Sequence, residues 1–204
     1  MPFSDAARGA AAHATDVRTI NPVDAGGAVK ASFKVVKHVG HGVCQPGSYQ
    51  TGTAYRCTAP AAAAGVLDPC WPLAPAKTMV CQAKPWVHKL VRVHVRNSTA
   101  GGTGFRAVAV PWGLRIGAKT RCLHDVGSVR KVDGHPLIYH CSHHHDVFGP
   151  LRDGGSTWKA HVYRTHAHTR SGYKSLGWRT VVIAWKGADA PPPATPTPTP
   201  SGLL

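Results

Sequence analysis

Histidine and cysteine are the residue types in this chain whose number and spacing could do chemistry. His140, His143, His144, His145 and Asp146 fall within seven residues, and His166 and His168 follow two apart. On an extended segment, residues two apart point the same way, so His143 would align with His145 and His166 with His168. Imidazole and carboxylate suit zinc, copper or nickel. Two or three of His140, His143, His145, His166 and His168, with one ligand from elsewhere, could complete a tetrahedral zinc or copper site. No recognised ligand spacing accompanies them, and the competing reading is a solvated, histidine-rich loop with no cofactor.

The cysteines are Cys44, Cys57, Cys70, Cys81, Cys122 and Cys141, with no Cys-x-x-Cys among them. Zinc ligands usually come in close pairs, and redox thiols share a Cys-x-x-Cys, so an even set at wide spacing points to three disulfides. Disulfides persist in oxidising compartments, which places the chain outside the cell or in its envelope. Six cysteines allow fifteen connectivities. Sequential hairpins bring near neighbours together, so the expected bridges are Cys44–Cys57, Cys70–Cys81 and Cys122–Cys141. Each would stabilise by roughly 2–4 kcal/mol through loop closure.

Bridged cysteines cannot act as nucleophiles, and other catalytic motifs are poor. Ser128 to Lys131 and Ser171 to Lys174 match Ser-x-x-Lys but lack the partner motifs that give this pattern meaning. There is no Gly-x-Ser-x-Gly, phosphate-binding glycine loop or His-Glu-x-x-His. A Ser-His-Asp set converges only in space, so a hydrolase site would be invisible at this level. The residues point to binding rather than catalysis.

Charge suggests what is bound. Lys and Arg number 24 against nine acidic residues, all Asp, for a net charge of +15. Such a field attracts polyanions: envelope polymers, anionic headgroups, or nucleic acid without sequence recognition. Two stripes carry it. Lys89, Arg92, His94 and Arg96 form one; Lys159, His161, Arg164 and Arg170, with His166 and His168, form the other. As neighbouring strands they would make one cationic surface for repeating phosphates or carboxylates. Ordinary solvated sheet faces are the plainer alternative. The fourteen histidines would add charge in acid and strengthen polyanion binding there.

The elements that must position these residues read as strands. Val91, Val93 and Val95 alternate with Arg92, His94 and Arg96; Trp158, Ala160 and Val162 alternate with Lys159, His161 and Tyr163. Thr180 to Trp185 reads as a strand buried on both faces. Shorter candidates are 33–37, 78–82, 106–110, 114–116 and 137–141. Residues 59–67 alone could hold a helical turn, and Asp68 before Pro69 reads as a turn residue. Trp112, Trp158, Trp178 and Trp185 are expected in the core, and Trp71 and Trp86, beside prolines, partly exposed. Glutamate is absent, which weakens any helical reading. No apolar run approaches the roughly 20 residues of a membrane-spanning helix.

Residues 1–31 read as a flexible leader without the apolar core of a signal peptide. The cysteine framework favours a miscalled or trimmed start that lacks its export signal, over another export route or thiols that stay reduced. Residues 188–204, rich in Pro and Thr, read as a polyproline-type stalk. Between them, 32–187 reads as one β-rich domain: all-β, a small sandwich or barrel-like meander with three disulfides.

The order Ala54-Tyr55-Arg56-Cys57, Asp68-Pro69-Cys70-Trp71, Arg121-Cys122, Tyr139-His140-Cys141 and Val182-Ile183-Ala184-Trp185 resembles a group of uncharacterised exported or lipid-anchored actinobacterial proteins. The resemblance spans roughly residues 40–186 and implies secretion and architecture, with no activity attached. The Ser142–Asp146 histidine insert is not part of the pattern. The expected protein is thus a non-catalytic extracellular or cell-envelope module for an anionic polymer or a protein partner. The alternatives are a histidine-mediated metal binder, or a hydrolase assembled only in three dimensions.

Overall fold

The computed structural model describes residues 13–49, 54–59, 65–74, 77–98, 110–125, 127–166 and 172–188. Among them there are thirteen strands and no helix. They fall into two compact units. One lies within Met1–Arg18 and Gly113–Ala184, the other within Thr19–Trp112 and Trp185–Leu204. β1 (Asp16–Ile20) pairs with the last strand of the chain and lies in the stretch expected to be a leader, where Val23 also bridges Val29. Residues 1–12 of that leader and all of the expected tail but Ala188 lie outside the described residues.

The next five strands close a barrel: β2 (Lys34–Pro46), β3 (Tyr55–Thr58), β4 (Val66–Pro72), β5 (Thr78–Cys81) and β6 (Lys89–Ser98). Consecutive strands pair antiparallel, and β2 with β6 pairs parallel to complete the ring. Closure removes free sheet edges. At the parallel seam Gly42 passes so close to Val93 that a Cβ at residue 42 would run into the Val93 side chain.

Sulfur dominates this barrel's interior. Its buried cluster is Cys44, Cys57, Leu67, Cys70, Met79, Cys81, Val93 and Val95. Cys44 lies directly opposite Cys57, and Cys70 directly opposite Cys81, so each bridge ties one antiparallel strand pair. A second cluster of Val23, Ala54, Trp71, Val80, Leu90 and Trp112 packs with Trp71 opposite Val80. Strand β4 is therefore buried on both faces, which overturns the expected partial exposure of Trp71. Its indole N–H donates to Ala188 O at 3.2 Å.

Val66 and Leu67, where a helical turn was expected, begin β4, and residues 60–64 lie outside the described set. Asp68 is likewise part of β4 rather than of a turn. Its half-buried carboxylate accepts hydrogen bonds from the Ser48 hydroxyl and from Tyr49 N, pinning the end of the β2–β3 connection.

The second sheet comprises β7 (Gly113–Ile116), β8 (Thr120–His124), β9 (Lys131–Val132), β10 (His135–Cys141), β11 (His145–Phe148), β12 (Lys159–Thr165) and β13 (Tyr173–Gly187). The order is β1-β13-β12-β11-β10-β8-β7, and β7 also pairs β13, so six strands close on themselves; β9 adds to β10. The interior is conventionally apolar: Leu114, Ile116, Tyr139, Val147, Ala160, Val162, Val181 and Ala184, with Cys122. Cys122 and Cys141 are directly opposed on β8 and β10 and bridged. All three bridges are those expected from sequential hairpins. Outside this core, Val132, Leu137, Phe148 and Tyr163 make a smaller cluster.

Candidate functional site

The parallel seam of the five-stranded barrel concentrates charge. Along β6, Val91, Val93 and Val95 face the sulfur-rich interior, so Arg92, His94 and Arg96 take the outer face. This is the alternation expected from sequence. The structure adds a second basic strand alongside. β2 places Lys34 opposite Lys89 and His38 opposite Arg92, with Lys37 and His41 also exposed. Neither β2 nor β6 carries an acidic residue. Like charges directly opposite each other on a sheet are destabilising. Arg92 is half-buried, and its Nε is buried without a hydrogen-bond partner. The β2 half was missed because only residues 33–37 were read as a strand. The signal was present as Lys34, Lys37, His38 and His41 in one stretch.

The second expected stripe does not join the first. Among the described residues, the named strands paired with β12 are β11 and β13, and those paired with β6 are β5 and β2. A bulge between Val162 and Tyr163 also breaks its alternation. Lys159 and Arg164 are exposed, whereas Arg170 and His168 lie outside the described residues. His161 is engaged internally. Its Nε2 is 3.0 Å from Ser175 Oγ, its Nδ1 is 3.3 Å from the Tyr163 hydroxyl, and its ring stacks on Trp178 at 5.1 Å. Trp178, expected in the core, is 37% exposed because it sits opposite His161 on the outer face, with the Arg152 guanidinium 3.8 Å over its ring.

The Tyr163 hydroxyl donates to Asp133 Oδ2 at 3.4 Å, so Ser175, His161, Tyr163 and Asp133 form a chain of contacts. This is the nearest approach to a serine–histidine–acid set among the contacts described above. Ser175 Oγ, however, also accepts from Gly177 N at 3.2 Å, which ties the chain of contacts to the bend in β13 as a local brace.

The histidines proposed as metal ligands disperse. His143 and His144 form the β10–β11 turn in left-handed conformation, with φ of 62° and 58°. His145 lies opposite Arg164. Burial first, then the charges of Arg164 and His143, push its pKa below the ordinary histidine value. His166 N donates to Gly172 O beyond the end of β12. Among the described residues, the one group of three potential ligand atoms within 4.8 Å of each other is the sulfurs of Cys57, Cys70 and Cys81, all consumed in bridges. The expected convergence of His140, His143, His145 and His166 is therefore not present.

His140 is built into a polar setting. Its Nδ1 is 3.0 Å from Asp146 Oδ1, directly across the β10–β11 pair, and its Nε2 is 3.9 Å from Asp125 Oδ2 at the end of β8. Nothing in the sequence links Asp125 to His140: it precedes His140 by fifteen positions and becomes its neighbour through strand pairing.

No protein family, curated protein or solved structure matches the chain.

Proposed function

We propose that this protein is a non-catalytic binding module of the cell envelope or extracellular space, and that its ligand is an anionic polymer. One observation carries the reading. Parallel pairing of β2 with β6 sets Lys34 against Lys89 and His38 against Arg92, on strands with no acidic residue. The two pairs lie on alternate faces of the seam; the permanent like charges are Lys34 and Lys89, both exposed and directly opposed, and an anion laid against them relieves that repulsion. A repeating phosphate or carboxylate would neutralise several charges at once and release its own counterions. Three disulfides support the oxidising location, as does the resemblance to exported proteins.

The test is binding of the full chain to heparin and to poly-glutamate at several salt concentrations. Affinity should fall steeply with salt for both probes. Replacing Lys34, Lys89 and Arg96 together with Gln should weaken binding by about tenfold or more and flatten the salt dependence. Replacing Lys159 and Arg164 should change it by less than about threefold, since screened isolated charges contribute little. Equal losses from the two sets would reduce the effect to net charge and overturn the assignment.

A further inference from the structure

Around His140, three strands bring together an imidazole and two carboxylates that lie far apart in sequence. His140 is on β10, Asp146 is directly opposite on β11, and Asp125 immediately follows β8, where its backbone N–H donates to Ile138 O at 2.8 Å. The two carboxylates play different parts. The Asp146 side chain is only 9% exposed and accepts at Nδ1 of His140, which fixes the ring orientation and leaves the Nε2 lone pair pointing outward. The Asp125 side chain is 18% exposed, and its Oδ2, facing Nε2, is buried with no hydrogen-bond partner. The His140 side chain itself is 51% exposed, so water can reach the Nε2 side.

We infer that His140 Nε2 and Asp125 Oδ2 are the protein ligands of a divalent transition ion of the zinc type, with Asp146 as the positioning residue and solvent completing the coordination. The gap of 3.9 Å is slightly less than the sum of one Zn–N and one Zn–O bond, about 2.0–2.2 Å each, so an ion fits between the two atoms at a wide angle. A direct hydrogen bond would be far shorter, about 2.7–3.2 Å. Metal-bound histidines characteristically donate their other ring N–H to a carboxylate, which is the Asp146 contact. Nitrogen and oxygen donors with open positions suit zinc or copper over calcium. The ligand set differs from the histidine-rich turn that first drew notice: His143, His144 and His145 take no part.

The experiment is calorimetric titration of the full chain, stripped with chelator, with Zn2+ alone. It is run on the parent protein and on Asp125→Asn, His140→Gln, Asp146→Asn and the turn variant His143→Asn/His144→Gly/His145→Gln. The expected result is one Zn2+ per chain. Its affinity should fall about 10-fold or more in Asp125→Asn and His140→Gln, and about 10–100-fold in Asp146→Asn, the range for loss of an orienting carboxylate. It should stay within about threefold in the turn variant, since His143 and His144 hold the left-handed positions, which Asn and Gly take readily. Should a variant fail to fold, NMR of the parent decides: Zn2+ must shift the His140 Nε2 resonance before those of His143, His144 and His145. No binding, or binding that survives Asp125→Asn and is lost in the turn variant, overturns the inference and leaves adventitious coordination by the turn.

Discussion

The two sheets solve the same closure problem with different interiors. In the five-stranded barrel, four of the eight buried core residues are cysteines, and a methionine sulfur lies 3.7 Å from one of them. In the larger sheet, a single bridge lies among leucine, isoleucine, valine and tyrosine side chains. A five-stranded barrel encloses little room for large aliphatic groups, and covalent staples add to the limited apolar burial. The same difference extends outward. The stapled barrel carries lysines opposed across its seam, whereas the larger sheet sets opposite or complementary polar groups side by side, as in His140 with Asp146 and His161 with Ser175.

The sharpest way to break this comparison is to delete bridges in pairs. Cys44→Ala/Cys57→Ala should destabilise the barrel by about 3–5 kcal/mol, near the top of the range for native disulfides. Cys122→Ala/Cys141→Ala should cost less, about 2–3 kcal/mol, although it opens the longer loop, with a sequence separation of 19 against 13. Hydrogen exchange followed separately on β6 and β12 amides would read the two effects. If the Cys122–Cys141 deletion costs more, loop-closure entropy governs and core composition does not.

A smaller effect concerns the half-buried carboxylate of Asp68. Burial raises the pKa of Asp68, outweighing the opposing hydrogen bonds from Ser48 and Tyr49 and the charge of Arg56. A carboxyl whose folded pKa is raised binds its proton more tightly in the folded state. Its contribution is therefore fully present below the ordinary aspartate range and is lost as pH rises through the folded value. The stability advantage of the parent over Asp68→Asn should accordingly shrink between pH 4 and pH 7 in urea unfolding. An advantage that grows with pH would mean that the hydrogen bonds outweigh burial.

The smallest effect is at the β10–β11 turn. A left-handed φ costs a non-glycine residue about 1–2 kcal/mol, part of which glycine returns as unfolded-state entropy. His144→Gly should therefore raise stability by up to about 1 kcal/mol, seen as a higher denaturant midpoint. A loss would show that the imidazole itself holds the turn.

What was legible in the sequence followed from local rules. Alternation at Val91, Val93 and Val95 marked β6 because every second side chain enters one interior. Hairpin proximity was enough to pair the cysteines, since all three bridges join directly opposed residues on antiparallel strands. Trp71 and Trp178 were misjudged because the number of layers covering a strand is a property of its neighbours. β4 is covered on both faces, whereas the outer face of β13 at Trp178 is only half-covered. The histidine cluster misled for a related reason: among the described residues its histidines form no group of three ligand atoms within 4.8 Å, while the carboxylates that reach His140 come from elsewhere in the sheet.

The sequence by itself determined the all-β class and a strongly cationic composition and favoured near-neighbour bridges, because these depend on residue content, period-two alternation and short loops. Only the tertiary structure decided that β2 lies parallel to β6 and sets lysine against lysine, and that Asp125 and Asp146 flank one imidazole. Both are pairings between strands, and strand register is selected by which faces the closed sheet can bury, a condition that no local stretch of sequence contains.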